Sequence, residues 1–411
     1  MNVTLTIPAR LQPATLTAPV SKSDAQRALV LSHILGIPSG LPKHDELPRD
    51  VRVLAAGLSA LSRIPTEIDC ADGGAPFRFL LTQAAVTPGA RVLFHGTERL
   101  AQRPHRALIH SLRRTLGSLG AELAEDVRWP YAVAGARGKA SSPMFHLDAS
   151  ESSQFASSLL LGCASLCIRE RREWSVQLEG PLASAGYLDL TVHWLRRAGF
   201  SVVENGPRLS VRPPTALTPP FTIPSDASSA AYLLLLAWRS GSTIENPAEA
   251  NHPDAAIRNL LAGVGLSVHH GAAVTGAATS GLSCSIAAFP DLAPTLAALS
   301  LILPSRSTFT DCTILRGKES DRLAGLMALV AAFGADAQLH GQCVTITPRV
   351  GATNAVSFDS AGDHRLAMSA ATAAILTGRT LRLTGAEAVE KSFPGYWTQV
   401  ARCGVNVLFT E

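Results

Sequence analysis

Six short polar or charged clusters along this chain are each followed at once by a small, apolar, alanine-rich run. The clusters lie roughly 50 to 80 residues apart, so the repeat is a whole supersecondary unit and too long for a solenoid repeat. Each apolar run predicts a buried helix. A helix N-terminus attracts anions through its free N–H groups and its macrodipole, so several such ends together would form an anion-binding site. The clusters occupy residues 23–27, 73–78, 151–154, 225–228, 291 and 363–365.

A second, amphipathic segment follows each alanine-rich run, with Leu, Val and Ile at helical spacing. Five of these segments end at a glycine that suits the helix C′ position before a strand. Short β-rich pieces fill the gaps between helices. The sequence therefore predicts an α/β fold in which a βαβαββ repeat recurs about six times. The five glycines are Gly120, Gly199, Gly265, Gly334 and Gly404.

A chain of 411 residues divides naturally into two lobes of three repeats each. The proline-rich stretch from Pro213 to Pro224 marks one boundary, and the segment around Pro19 is the other crossing. We expect one lobe at residues 18–223 and the other at 1–17 with 224–411, so that the N-terminal strand joins the C-terminal half. The buried helices would point their N-termini into a cleft between the lobes, and closure would expel water from it.

The composition indicates a large globular protein, with 46% apolar and 17% charged residues. The net charge of +4 includes no basic tract, which argues against a nucleic-acid partner. No uninterrupted apolar run reaches about 18 residues and no signal peptide is recognisable, so we expect neither a membrane span nor secretion. The seven cysteines are scattered without metal-ligand spacing. They predict a reduced, cytoplasmic protein without a metal site or a disulfide.

The chain contains five lysines against 31 arginines, and three of the five lie inside charged clusters: Lys22, Lys318 and Lys391. One interpretation is a codon bias that replaces surface lysine by arginine. The other is that lysine is retained where a compact, titratable ammonium is needed, because a planar guanidinium cannot substitute for it. Both interpretations stay open at this point.

Motifs in every repeat resemble those of the 5-enolpyruvylshikimate-3-phosphate synthase family. They include S-K-S-x-x-x-R at residues 21–27, S-S-Q-F at 152–155, R-G-K-E-S-D-R at 316–322 and D-H-R at 363–365. The resemblance implies a two-lobed inside-out α/β barrel of six βαβαββ units, three per lobe. It also implies transfer of the enolpyruvyl group of phosphoenolpyruvate to the 5-hydroxyl of shikimate-3-phosphate, with release of phosphate, by a monomer that needs no metal or organic cofactor.

The same resemblance assigns ligands to both substrates, which are small, phosphorylated and carboxylated. Arginine offers a planar fork to a carboxylate, and lysine offers a point charge to a phosphate. For phosphoenolpyruvate the implied ligands are Lys22, Gly74, Arg103, Gln154, Arg322, Arg365 and Lys391. For shikimate-3-phosphate they are Ser23, Arg27, Ser152, Ser153, Gln154, Ser184, Asp291 and Lys318, with Tyr187 completing the S-x-x-Y motif of Ser184.

Three residues are implied to be catalytic. Asp291 would accept the proton of the 5-hydroxyl, and Glu319 would act on the methylene carbon with help from Lys22. An acid among several cations has a depressed pKa unless burial offsets it, so we expect Glu319 to be partly buried. Each motif alone has an ordinary structural interpretation: Ser23 and Asp291 as helix N-caps, and residues 316–322 as a salt-bridged helix face.

The chain departs from the family pattern in two places. In the glycine-rich turn at residues 72–78, Ala75 stands where the family has Thr, and Pro76 removes an N–H donor. We therefore expect a shifted helix start and altered binding of phosphoenolpyruvate or of its mimic glyphosate. Ile314 stands where some members carry a substrate-contacting Asn.

Three other functions compete with this interpretation. UDP-N-acetylglucosamine enolpyruvyl transferases share the fold and the donor, but they carry a reactive Cys in the loop that corresponds to residues 99–103, where this chain has none. A non-catalytic paralogue that only binds metabolites is motivated by the altered turn. Nucleic-acid end processing on a related fold is disfavoured because no basic strip with interleaved aromatic residues is present.

Overall fold

The structure is a computed structural model that describes residues 1–43, 46–63, 65–182, 184–215, 221–246, 252–269, 273–349 and 355–410. The chain forms two compact units. The continuous unit comprises residues 22–223, and the discontinuous unit comprises residues 1–21 and 224–411. Residues 216–220 of the proline-rich stretch lie outside the described residues. The lobe boundaries expected from the sequence stay a prediction.

The described secondary structure is numbered here in chain order. The helices are α1 (Lys22–Leu35), α2 (Arg49–Leu61), α3 (Gly74–Val86), α4 (Glu98–Ala101), α5 (Arg106–Leu116), α6 (Ser153–Glu170), α7 (Ala185–Arg197), α8 (Ala227–Ser240), α9 (Ile257–Gly263), α10 (Ala293–Ser300), α11 (Arg322–Ala332), α12 (His364–Thr377) and α13 (Tyr396–Arg402). Short 3-10 helices occupy Gly117–Leu119, Pro253–Ala256, Cys312–Gly317 and Ala386–Lys391.

The strands are β1 (Asn2–Thr6), β2 (Thr15–Leu16), β3 (Thr66–Asp69), β4 (Arg91–His95), β5 (Glu122–Leu123), β6 (Tyr131–Ala134), β7 (Met144–Asp148), β8 (Trp174–Glu179), β9 (Ser201–Asn205), β10 (Arg208–Arg212), β11 (Thr243–Ile244), β12 (Leu266–Val268), β13 (Val274–Gly276), β14 (Ser283–Ser285), β15 (Ser307–Thr310), β16 (Asp336–His340), β17 (Cys343–Thr347), β18 (Val356–Asp359), β19 (Leu381–Thr384) and β20 (Asn406–Thr410).

Four sheets share one strand order, which is the signature of the βαβαββ repeat. The continuous unit contains β3-β4-β6-β5 and β7-β8-β10-β9, and the discontinuous unit contains β14-β15-β17-β16 and β18-β19-β1-β20. In each sheet the first two strands are parallel and the other pairings are antiparallel. A buried helix connects the parallel pair, because parallel neighbours need a long crossover.

The N-terminal strand completes the last of these sheets. β1 lies between β19 and β20 and pairs antiparallel with both, so that Asn2 faces Thr384 on one side and Thr410 on the other. The N-terminal strand therefore occupies the third position of this sheet, which β6, β10 and β17 occupy in the other three.

The six predicted buried helices are confirmed. They are α1, α3, α6, α8, α10 and α12, and each begins within three residues of its polar cluster. The predicted C′ glycines are confirmed as well, because all five have left-handed φ values between 80° and 91°. A residue with a β-carbon is strained in that conformation.

An aspartate at the end of a strand directs the chain into three of the buried helices. Asp69, Asp148 and Asp359 end β3, β7 and β18, and each accepts a hydrogen bond from the backbone N–H two residues later at 2.8 to 3.0 Å. This Asx turn reverses the chain before the helix starts. The polar cluster at each helix start is thereby placed beside the carboxyl ends of the parallel strands.

Two repeats carry fewer strands than the sequence predicts. Around α8 and α9 only the short pairs β2-β11 and β12-β13 form within the described residues. Between α1 and α2 the described part of the chain contains no strand. Pro38, Pro42 and Pro48 fall in that connection, and proline cannot donate the ladder hydrogen bond that a strand there would need.

Each unit has a hydrophobic core of its own, built largely from its buried helices. Within the described ranges, no helix combines the length and the apolar character needed to cross a bilayer.

Candidate active site

A cluster of five charged residues lies at the start of three helices in the discontinuous unit. We call it the Arg322 cluster; it consists of Asp291, Glu319, Arg322, Asp363 and Arg365. Arg322, the first residue of α11, is fully buried. Its Nη1 donates to Asp291 Oδ1 at 2.9 Å and its Nη2 to Glu319 Oε2 at 2.6 Å. Its Nε donates to Asp363 Oδ2 at 3.0 Å, so one guanidinium holds three carboxylates.

Asp363 connects this cluster to the backbone of α12. It is the N-cap of that helix, and its Oδ1 accepts from the backbone N–H of Arg365 at 2.9 Å. Its Oδ2 also accepts from Ser320 Oγ at 3.0 Å. The N-cap thus aligns α12 and α11 through a single side chain. Burial lowers the pKa of Arg322, but Asp363, Glu319 and Asp291 outweigh burial and raise it.

Asp291 stands just before α10 and uses both of its oxygens. Arg322 donates to Oδ1, and Arg365 Nη2 donates to Oδ2 at 2.7 Å. Burial raises the pKa of Asp291, but Arg365, Arg322 and Lys318 together outweigh burial and hold it well below its usual range. Asp291 is therefore an ionised carboxylate, and the positive charge around it must be partly neutralised before it becomes a strong base.

A further acidic residue, Asp254, lies near Asp291 and was not predicted. Asp254, in the 3-10 helix Pro253–Ala256, is fully buried and accepts a hydrogen bond from Ser228 Oγ in the first turn of α8. Burial raises its pKa, and the charge of Asp291 raises it further, while His252 and Arg365 oppose the shift. Nothing in the local sequence H-P-D marks this residue, and only the packing of the 3-10 helix against α8 reveals its proximity.

The other predicted residues of this unit lie in or next to two 3-10 helices and at the start of α12. Lys318 and Glu319 directly follow the 3-10 helix Cys312–Gly317 and are half-buried, so the expected partial burial of Glu319 is observed. Lys391 ends the 3-10 helix Ala386–Lys391 and is buried. Ile314 packs against the hydrophobic core. The imidazole of His364 is buried beside Asp363, as expected for a structural histidine.

In the continuous unit, all three guanidinium nitrogens of Arg27 donate hydrogen bonds. Its Nε donates to Thr191 Oγ1 at 2.8 Å, its Nη1 to the carbonyl of Ser23 at 2.7 Å, and its Nη2 to the carbonyl of Tyr187 at 2.9 Å. Burial lowers its pKa to about 10, although the nearby Asp24 opposes the shift. Arg27 therefore remains charged at neutral pH and ties α1 to α7.

Lys22 lies in the first turn of α1 and is paired across to α2. Its Nζ is 3.5 Å from Asp50 Oδ2, and both side chains are largely buried. The neighbouring residue of α2, Arg49, pairs with Asp72 in the glycine-rich turn before α3. Asp50 was not predicted. It is the second residue of an amphipathic helix, and nothing in the local sequence indicates that it pairs with Lys22.

The glycine-rich turn leads into α3 at Gly74, with Gly73 as the N-cap. Pro76 lies in the first turn of the helix, where its missing N–H leaves no intrahelical bond unmade. The guanidinium of Arg103 lies against the α-carbon of Gly74. These two predicted residues are therefore brought together, and the close approach requires a residue without a β-carbon.

Arg78 connects this turn to the start of α6. Its Nη1 donates to Gln154 Oε1, its Nη2 donates to the carbonyl of Pro104 at 2.8 Å, and its guanidinium lies 4.9 Å from the ring centre of Phe155. Arg78 is the last residue of the glycine-rich motif, and no role was predicted for its side chain. It orients the predicted ligand Gln154 and the loop that carries Arg103.

The predicted serines lie at helix starts. Ser152 is the N-cap of α6 and accepts from the backbone N–H of Gln154 at 3.3 Å, and Ser153 is the first residue of that helix. Ser184 is the N-cap of α7, but its side chain makes no capping hydrogen bond, and its φ is +52°. A non-glycine residue in this region is strained, which is frequent at binding sites. Ser23 is half-buried in the first turn of α1.

The cysteine side chains are mostly buried. All seven are free thiols, five of them buried and two, Cys284 and Cys343, half-buried. In the part of the chain that the structure describes, no group of three or more His, Cys, Asp or Glu residues is arranged to hold a metal ion.

Comparison with known proteins identifies the fold. The chain has a TM-score of 0.73 with EPSP synthase from Acinetobacter baumannii, at 19% identity and with 100% of both chains covered. With the enolpyruvyl transferase NikO from Streptomyces tendae the TM-score is 0.67, at 14% identity, with 100% of this chain and 99% of the other covered. These similarities confirm the predicted fold class, the inside-out α/β barrel of enolpyruvyl transferases.

The sequence comparisons are more specific. The 3-phosphoshikimate 1-carboxyvinyltransferase of Methanothrix thermoacetophila is 29% identical to this chain over an alignment 420 residues long. The alignment covers 96% of each chain. The family model of EPSP synthase (3-phosphoshikimate 1-carboxyvinyltransferase) matches residues 40–400. Because that match spans nearly the whole chain, including the Arg322 cluster and the glycine-rich turn, this protein belongs to the EPSP synthase family.

Proposed function

We propose that this chain is a 3-phosphoshikimate 1-carboxyvinyltransferase, which transfers the enolpyruvyl group of phosphoenolpyruvate to the 5-hydroxyl of shikimate-3-phosphate and releases phosphate. The family membership supports this activity over transfer to UDP-N-acetylglucosamine. The observation that carries the mechanism is the Arg322 cluster, in which two predicted catalytic carboxylates, Asp291 and Glu319, share one buried guanidinium.

The Arg322 cluster contains cations that can bind the anionic groups of the substrates. Asp291, Glu319 and Asp363 face Arg322 and Arg365, and Lys318 adds a third cation near Asp291. The carboxylates hold the arginines in place without substrate, so the donors are preorganised rather than gathered at the moment of binding. We propose that a phosphate or carboxylate of the substrate takes up donors of Arg365 and Lys318.

Binding of a substrate anion to Arg365 and Lys318 would also prepare Asp291 for catalysis. The arginines hold its pKa well below the usual range, and an anion bound to Arg365 would offset that effect, since neighbouring positive charge is what stabilises the carboxylate. We propose that Asp291 then accepts the proton of the 5-hydroxyl as the hydroxyl oxygen bonds to C2 of phosphoenolpyruvate.

Glu319 is proposed to deliver the second proton. It would protonate the methylene carbon C3, with Lys22 assisting, to give a tetrahedral ketal. The C2–O bond to phosphate then breaks and phosphate leaves with the bonding electrons, while Glu319 takes back a proton from C3 and the double bond is restored. A well-placed acid or base contributes roughly 10² to 10⁴ in rate, and the remainder is expected from orientation and preorganised charge.

The other roles follow the sequence assignment and remain proposals. Phosphoenolpyruvate is assigned Lys22, Gly74, Arg103, Gln154, Arg322, Arg365 and Lys391. Shikimate-3-phosphate is assigned Ser23, Arg27, Ser152, Ser153, Gln154, Ser184, Asp291 and Lys318. A monomeric state and a cytoplasmic location also stay predictions.

The test is phosphate release from phosphoenolpyruvate in the presence of shikimate-3-phosphate. We expect Glu319→Gln and Lys22→Met to lower kcat by at least about 10². The matched controls are Glu122→Gln and Lys139→Met, which make the same chemical changes at exposed positions. Phosphate release from phosphoenolpyruvate only when the acceptor is UDP-N-acetylglucosamine would support the rival transferase. Binding of both substrates in calorimetry without turnover would support the non-catalytic paralogue.

A further inference from the structure

Two side-chain hydroxyls and two backbone carbonyls accept hydrogen bonds from the guanidinium of Arg27. Within the described residues, the side-chain acceptors of its guanidinium are Thr191 Oγ1, at 2.8 Å from Nε, and Ser157 Oγ, at 3.3 Å from Nη2. The other acceptors are the carbonyls of Ser23 and Tyr187. Thr191 makes the shorter of the two side-chain contacts, and among the described residues it is the acceptor for Nε, the nitrogen that joins the guanidinium to the rest of the side chain.

Two acceptors lie within hydrogen-bond distance of the Thr191 hydroxyl. Its Oγ1 is 2.7 Å from Ser157 Oγ and 3.1 Å from the carbonyl of Tyr187, so its single proton points to one of these acceptors. A lone pair is then left for Arg27 Nε. Thr191 is fully buried in α7, and its β-branched side chain restricts χ1.

This arrangement determines what Arg27 has left for a ligand. A guanidinium carries five N–H groups. Hydrogen bonds to Thr191, Ser23, Ser157 and Tyr187 use four of them within the described structure, and the fifth belongs to Nη1. Arg27 can therefore offer a carboxylate one donor of fixed direction rather than a free two-pronged fork.

We propose that Thr191 is a positioning residue, which holds Arg27 so that the remaining N–H of Nη1 meets the carboxylate of shikimate-3-phosphate. The proposal rests on the proposed function for the identity of this ligand. Without the hydroxyl, Nε would be buried without its acceptor, and the guanidinium would turn to find another.

A matched control exists in the same unit. Thr82, in α3, is also fully buried, and its Oγ1 lies 2.7 Å from Ser158 Oγ. Thr82→Val and Thr191→Val therefore remove the same hydroxyl from a buried threonine–serine pair, and only the second change touches Arg27. Thr191→Ser keeps the hydroxyl and is the conservative variant.

The experiment measures shikimate-3-phosphate binding by calorimetry, the KM for each substrate, and thermal unfolding. For Thr191→Val we expect the Kd and the KM for shikimate-3-phosphate to rise roughly tenfold, with the KM for phosphoenolpyruvate unchanged. Thr191→Ser should bind within about twofold of the wild type. Thr82→Val should also lower the unfolding temperature, but less than Thr191→Val does, because it leaves no guanidinium donor without an acceptor; both KM values should stay unchanged.

Two results would overturn the proposal: wild-type affinity in Thr191→Val, or an equal loss of affinity in Thr82→Val. If Thr191→Val does not fold, Thr191→Ala carries the same prediction. Failure of the proposed function can be told apart from failure of the Thr191 proposal. A wild-type protein that binds shikimate-3-phosphate without releasing phosphate still allows the calorimetric comparison. A wild-type protein that does not bind it at all would overturn both proposals.

Discussion

The α-carbon of Gly74 lies in contact with the guanidinium of Arg103, and a β-carbon at residue 74 would stand 2.7 Å from its Cζ atom. Gly74 begins α3, and Arg103 lies in the loop after α4. Real β-carbons essentially never approach another heavy atom so closely. Arg103 is a proposed ligand of phosphoenolpyruvate. Its guanidinium can lie where it does because residue 74 of α3 has no side chain.

Gly74→Ala is therefore expected to weaken phosphoenolpyruvate binding more than it weakens the fold. The atoms near residue 74 belong to the end of the flexible Arg103 side chain, which can move aside as a backbone group could not. The helix should therefore survive the change. We expect the KM for phosphoenolpyruvate to rise roughly tenfold, since displacing one charge-assisted donor costs about that much. Steady-state kinetics and thermal unfolding check this expectation.

The control for that variant is Gly117→Ala. Gly117 has an ordinary helical φ, and a β-carbon there would meet no atom within 4 Å. Its kinetic constants should equal those of the wild type. The explanation fails if Gly74→Ala leaves the KM for phosphoenolpyruvate unchanged, or if it unfolds the protein.

Asp363 should be the most costly carboxylate to remove from the Arg322 cluster. It is fully buried, accepts from Arg322 and caps α12. Asp363→Ala leaves part of a buried guanidinium without its counter-charge, so we expect the free energy of unfolding to fall by about 3–5 kcal/mol. Denaturant unfolding measures the loss.

Asp321→Ala is the comparison for Asp363→Ala. Asp321 is also an N-cap, for α11, and its Oδ1 accepts from the backbone N–H of Ala324 at 3.1 Å, but its side chain is largely exposed. Loss of a cap alone costs about 1 kcal/mol. Similar destabilisation by the two variants would show that the buried ion pair with Arg322 contributes little.

His105 should make stability dependent on pH. It is buried, with Nε2 2.8 Å from the carbonyl of Leu100. Burial, helped by Arg78 and Arg103 and opposed by the Leu100 hydrogen bond, lowers the pKa of His105 to about 3. The unfolded chain takes up this proton near pH 6.5. The stabilisation is therefore fully present above about pH 6.5 and is lost as the pH falls toward 3.

The measurement is the free energy of unfolding of the wild type and of His105→Gln between pH 5 and 7. The advantage of the wild type should shrink by about 2 kcal/mol over that range, because the unfolded state binds one proton that the native state does not. A constant difference across the range would contradict the assigned cause.

Ser184 allows backbone strain to be separated from ligand binding. Its φ of +52° suits glycine and penalises any residue with a β-carbon. We expect Ser184→Gly to be about 1 kcal/mol more stable than Ser184→Ala by urea unfolding. Both variants lack the hydroxyl, so both should raise the KM for shikimate-3-phosphate to the same extent. Unequal KM values would show that the backbone conformation, and not the hydroxyl, sets the affinity.

Much of the fold could be predicted from the sequence because its signals are local. An alanine-rich run after a polar cluster predicts a buried helix wherever it occurs, and all six are present. A glycine before an extended segment predicts a left-handed helix end, and all five glycines adopt it. The repeat pattern also predicted a strand between α1 and α2, where the described residues contain none, because three prolines remove donors that a strand needs.

The candidate site was predictable only in part. Motif residues such as Asp291, Glu319 and Arg322 were assigned, and the structure brings them within hydrogen-bond distance. Their partners were missed: Asp50 for Lys22 and Thr191 for Arg27. Thr191 is 164 residues away from Arg27 in the chain, and nothing local to either residue marks the pair.

The sequence by itself determined the kind and number of charges and the helix starts that carry them, because side-chain chemistry and helix boundaries depend on neighbours along the chain. Only the tertiary structure decided which carboxylate faces which cation, and hence that Asp291 has a lowered pKa and Asp254 a raised one. The reason is that electrostatic energy depends on distance and burial, and both arise from helix packing rather than from residue order.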